Sequence, residues 1–139
     1  MDPYLAESKR VRALTDVHYN CAQGVLMPFA KAKGLNEEQT FALSGAFGAG
    51  MRTGRPCGAS TGSLMVLGLY GLSDPQTVGE FFRTFEERHE GMTNCKDLLR
   101  TSAQRGEVKK QHCDGLVFEC VEILVDMLSK RGLLDPEKI

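Results

Sequence analysis

The sequence predicts an all-α fold, a compact single-domain helical bundle of about five to seven helices. Three observations predict it. Apolar residues recur at helical spacing, long alternating apolar and polar runs are missing, and helix-start residues stand ahead of each periodic segment. No repeat or linker divides the chain, so one domain is expected to cover residues 1–139.

Asp2-Pro3 opens the first helix, because Asp accepts free amide hydrogens and Pro fits the first helical position. Leu5, Val11, Leu14 and Val17 mark its apolar stripe, which ends near His18. Asn20 caps a second helix with Cys21, Val25, Leu26, Phe29 and Ala30 on one face, stopped by Gly34. Pro28 inside that segment predicts a kink or a break. Asn36, followed by Glu37, Glu38 and Gln39, opens a third helix whose Phe41, Leu43 and Ala46 are expected to face inward.

A glycine-rich connection, residues 47–56, leads into Cys57. Residues 58–72 read as a tightly packed central helix, in which Gly58, Ala59, Gly62 and Ser63 let another backbone approach closely. Asp74-Pro75 starts the next helix, which buries Val78, Phe81, Phe82 and Phe85 and runs to Gly91. Asn94 precedes a short helix at residues 95–99, and residues 101–111 read as a polar loop with a turn of helix. A final helix from about Cys113 to Arg131 buries Leu116, Val117, Cys120, Val121, Leu124 and Leu128.

Composition narrows the function. Apolar residues make up 42% and charged residues 25%, with 17 basic against 18 acidic side chains, so net charge supports neither a nucleic-acid nor a membrane-surface role. Residues 1–12 hold no apolar run resembling a signal peptide, and no stretch approaches a membrane span. A soluble, cytoplasmic protein is expected. There thiols are kept reduced, which favours redox catalysis, metal binding or inert burial over a static disulfide framework.

Cys21, Cys57, Cys95 and Cys113 each fall at or just before a predicted helix start, whereas Cys120 falls inside the last helix. A helix amino terminus carries unpaired amide hydrogens and partial positive charge, which favour the thiolate that attacks disulfides and ligates metal. Cys120, on an apolar face, reads as a small buried hydrophobe.

The chain resembles the C_GCAxxG_C_C family of small bacterial and archaeal redox-active proteins. The resemblance runs through Asn20-Cys21-Ala22-Gln23, Phe47-Gly48-Ala49-Gly50-Met51, Cys57-Gly58-Ala59-Ser60-Thr61-Gly62, Cys95-Lys96-Asp97-Leu98-Leu99 and Cys113. It implies a redox role, with Cys21, Cys57, Cys95 and Cys113 as the characteristic cysteines and Cys120 outside the pattern.

Two chemistries follow for those four residues. In the first they perform reversible thiol–disulfide or electron-transfer chemistry, with Cys57 as leading nucleophile, Cys21, Cys95 or Cys113 resolving, and His112 available as proton acceptor or cation. The partner is then a redox protein or a small thiol or electron carrier, with a homodimer left open. In the alternative, Cys21, Cys57, Cys95 and Cys113 ligate zinc or an iron–sulfur cluster, for which four thiolates are the right donors although none lie close in sequence.

Other readings are weaker. Arg52 and Arg55 in the glycine-rich segment could bind an anion, but the segment lacks a P-loop ending. His18, His89 and His112 lack helical zinc-site spacing. Whether the chain is an enzyme, including a cysteine hydrolase with a remote histidine, stays open at this level.

Overall fold

A computed structural model describes residues 2–135, and these form seven α-helices and no strand. They are α1 (Pro3–Arg12), α2 (Cys21–Ala32), α3 (Glu37–Leu43), α4 (Gly58–Leu69), α5 (Pro75–Arg88), α6 (Cys95–Gln104) and α7 (Lys109–Lys130). The expected N-caps at Asp2, Asn20, Asn36 and Asp74 all accept backbone amides through their side chains. Asn94 takes the cap position of α6 without a side-chain bond.

The helices α2 and α4 form the centre. A Cβ on Gly62 would stand 2.6 Å from the Ala22 carbonyl oxygen, and one on Gly58 would meet the Phe47 carbonyl oxygen at 2.9 Å and Cys21 Cβ at 3.2 Å. Glycine therefore sets the helix separation, and with it the approach of Cys21 to α4. Around this pair α7 buries all six predicted side chains together with Ile123 and Met127, while α5 contributes Phe81 and Phe85.

Pro28 does not break α2. Its missing amide leaves the Gly24 carbonyl without a helical donor, and Ser8 Oγ on α1 donates to that carbonyl at 2.8 Å. Gly24 also makes room for Arg12, whose Cδ would stand 2.9 Å from a Cβ there.

Several expectations fail at element ends. Helix α1 stops at Arg12 rather than near His18, and its buried stripe is Tyr4, Ser8, Val11 and Arg12, leaving Leu14 and Val17 exposed. The cause is Arg12 itself: Nη1 donates to the Tyr19 carbonyl at 2.7 Å, which turns the chain back within seven residues. In α3 the buried positions are polar, so Leu43 and Ala46 face solvent. Thr40 and Ser44 are buried with their hydroxyls on backbone carbonyls, and Gln23 Nε2 donates to the Phe41 carbonyl at 2.7 Å. Helix α4 ends at Leu69 and α5 at Arg88, short of Leu72 and Gly91. Residues 101–111 are mostly helical, because α6 extends to Gln104 and α7 begins at Lys109.

The glycine-rich connection folds into a short 3-10 turn, Gly45–Phe47, and then an irregular turn, Gly50–Gly54. Ala49, Gly50, Met51 and Arg52 all have positive φ, a left-handed run that only Gly adopts freely. Beyond it Pro56 and Asn94 form an isolated antiparallel bridge: Cys57 N donates to the Thr93 carbonyl at 2.8 Å and Cys95 N to the Arg55 carbonyl at 2.7 Å. The facing residues are the non-hydrogen-bonded pair, so the missing amide of Pro56 costs nothing there.

Candidate functional site

Four helices deliver the cysteines to one cavity of about 350 Å³, lined by Cys21, Cys57, Cys95 and Cys113. Cys21 is the first residue of α2, Cys57 the N-cap of α4 and Cys95 the first residue of α6, as the sequence predicts. Cys113 departs from that pattern. Because α7 starts at Lys109, Cys113 lies one turn inside the helix and not at its mouth. Cys120 sits two turns further along α7, wholly buried and outside the cavity lining.

All five cysteines are free thiols, and their environments separate them. Cys57 is 3% exposed, and burial pushes its thiol up to about 11. The Ala59 and Ser60 amides at the start of α4 favour its thiolate, as the helix-terminus argument requires, yet desolvation outweighs them. Burial also raises the Cys95 thiol, and it raises that of Cys120 well above the ordinary range.

Cys21 and Cys113 share the cavity and interact through their thiols. That interaction raises the Cys21 pKa and lowers that of Cys113 to about 7. Burial opposes the lowering at Cys113, and the positive charges of Arg12 and Lys109 add to it. The most acidic thiol of the site is thus Cys113, not Cys57. Its acidity comes from a neighbouring thiol and two cations rather than from a helix terminus.

Sequence reading missed Arg12. Its side chain is only 6% exposed and is ion-paired to Asp114. The sole local signal was a charge adjoining Val11 on what becomes the buried face of α1. His112 lines the same cavity, and its Nε2 is buried without a hydrogen-bond partner among the described residues. Burial lowers its pKa, so the imidazole is neutral at neutral pH and supplies no cation to Cys113. Among the described residues no three His, Cys, Asp or Glu side chains group closely enough to hold a metal ion. The ligand set that zinc or an iron–sulfur cluster needs is not preassembled. Among the described residues no helix is long and apolar enough to cross a membrane.

Fold and site together define an all-helical, thiol-centred protein. The chain belongs to the C_GCAxxG_C_C family, whose model, described as "Putative redox-active protein (C_GCAxxG_C_C)", matches residues 19–127 and supports a redox-related role. No curated protein and no solved structure matches the chain.

Proposed function

We propose that this chain is a thiol–disulfide redox protein in which Cys113 attacks and Cys21 resolves. The observation that carries this reading is the interaction of the Cys21 and Cys113 thiols beside Arg12 in one cavity. It joins a thiolate available near neutral pH to a second thiol already within reach of it.

Cys113 Sγ, as thiolate, attacks one sulfur of a reducible disulfide. A bond forms between Cys113 and that sulfur, the substrate S–S bond breaks, and the other half leaves as a thiolate that takes up a proton. Cys21 then gives up its proton and attacks Cys113 Sγ. An internal Cys21–Cys113 disulfide forms and the second half departs as a thiol, so two electrons pass from the protein to the substrate. Cys57 and Cys95 stay protonated beside this pair. A reducing compartment such as the cytoplasm supports the reduced resting state.

The test is alkylation across pH with peptide mapping, followed by oxidation with hydroxyethyl disulfide. Cys113 should be half-modified near pH 7 and far ahead of Cys57 and Cys120. Oxidation should join Cys21 to Cys113. Cys113→Ser or Cys21→Ser should abolish that bridge, and Cys120→Ser should leave it intact. Anaerobically purified protein holding stoichiometric iron or zinc on these sulfurs would sink the reading in favour of the metal alternative.

A further inference from the structure

The cavity volume of about 350 Å³ falls within the range of small-molecule sites. Its charge is one-sided. Arg12, Lys109 and Lys110 line it and, among the described residues, no aspartate or glutamate does, although the chain as a whole carries a formal net charge of -1. Asp114, just outside, binds both Arg12 and Lys110 and offsets one of these charges. Lys109 has no ion pair among the described residues, and its charge acts on the sulfurs of Cys95 and Cys113. Leu98, Leu99 and Leu116 supply apolar wall.

We infer that the substrate reduced at Cys113 is a low-molecular-weight disulfide whose ends carry carboxylates. This inference rests on the thiol–disulfide reading. Carboxylates at the rim pair with Lys109 and the surplus charge of Arg12 and Lys110, and aliphatic arms lie along the leucines. A cationic disulfide meets the same charges as repulsion. The half-buried position of Cys113 in a cavity suits a small molecule better than the surface of a folded partner. The step balances as given above: one disulfide takes two electrons from Cys21 and Cys113 and leaves as two thiols.

The experiment compares three probes of different charge: glutathione disulfide, hydroxyethyl disulfide and cystamine, which are anionic, neutral and cationic. The rate of Cys21–Cys113 bridge formation is read by acid quench and mapping. At low ionic strength the anionic probe should lead the cationic one by about tenfold, and the gap should close in roughly 1 M salt, where the screening length is about 3 Å. Lys109→Glu should erase the lead and Lys109→Arg should keep it. Dividing each rate by that of the neutral probe removes the change in Cys113 ionisation that the substitution also causes. If a variant misfolds, the salt dependence of the unaltered protein decides. Equal rates, or a lead for cystamine, would overturn this inference while leaving the Cys21–Cys113 reading intact. Failure of all three probes to form the bridge would overturn both.

Discussion

Arg12 and Asp114, 102 positions apart, meet at one oxygen: Arg12 Nε donates a hydrogen bond to Oδ1 at 2.8 Å, and Nη2 forms an ion pair with the same oxygen at 2.7 Å. With Nη1 committed to the Tyr19 carbonyl, the guanidinium is fixed beside the Cys21–Cys113 pair. Charge and shape thus meet at one residue, which ends α1, ties it to α7 and favours the thiolate.

Two substitutions separate these roles. Arg12→Met should cost about 2 kcal/mol and Asp114→Asn about 3 kcal/mol, since the latter strands a buried cation. The thiol should respond in opposite directions. Arg12 lowers the Cys113 pKa and Asp114 raises it, so Arg12→Met moves the alkylation midpoint up and Asp114→Asn moves it down. Urea denaturation and the pH profile of Cys113 alkylation measure both effects, and a shift of the same sign in the two variants would refute the electrostatic role.

Stability should depend on pH through the same sulfurs. The folded Cys113 pKa, about 7, lies below its ordinary value of 9.0. Its stabilising effect is therefore fully present above about pH 9 and lost as pH falls through about 7. Because Cys113 is half-buried, solvent screening limits the gain to about 1 kcal/mol. Cys21 and Cys57 are raised, and each keeps its proton in the fold where the unfolded chain would ionise. Above about pH 9 they reverse the trend. Urea midpoints should climb from about pH 6 to a maximum between about 8 and 9, then fall. A flat profile over the lower limb would contradict the Cys113 assignment.

Ser8 and Pro28 should prove coupled. Ser8→Ala leaves the Gly24 carbonyl buried without a donor and should cost about 2 kcal/mol. In a Pro28→Ala background the residue 28 amide can donate to that carbonyl, and Ser8→Ala should cost about 1 kcal/mol less. Thermal denaturation of the four proteins in the cycle measures the difference. Additive costs would show that α2 satisfies Gly24 by another route.

The helix periodicity of α2, α5 and α7 was legible because their buried faces are mainly apolar. Asn20 and Asp74 mark the starts of α2 and α5, whereas Val108 ahead of α7 carries no capping signal and the start of that helix was not legible. Arg12 was not, since its partner Asp114 lies 102 positions away, and Thr40 and Ser44 were not, since hydroxyls bonded to carbonyls four residues back add nothing to the apolar periodicity. The four cysteines were legible as a set. The order of their acidities was not, because it depends on desolvation of Cys57 and on Cys21 meeting Cys113 across 92 positions, from 21 to 113. The bridge between Pro56 and Asn94 left no sequence signal beyond the proline, as a single pairing has no periodicity.

The left-handed run beside that bridge should show itself as stored strain. Ala49, Met51 and Arg52 have φ of 53°, 57° and 58°, a conformation costing non-glycine residues roughly 1–2 kcal/mol each. Met51 is 39% exposed, so its side chain recovers little of this by burial. Met51→Gly should therefore stabilise the protein by about 0.5 kcal/mol, where glycine at an ordinary exposed site destabilises. Gly50→Ala should do the opposite. Its φ is 62°, and the added Cβ would run into the Arg55 carbonyl oxygen and stand 2.9 Å from Cys95 Cβ. A loss of about 2 kcal/mol or more is expected, with faster alkylation of Cys95 as the bridge to residues 55–57 loosens. Urea denaturation with mapped alkylation reads both variants. If Met51→Gly destabilises as an ordinary exposed site does, the turn stores no strain, and the positions of Cys57 and Cys95 owe nothing to it.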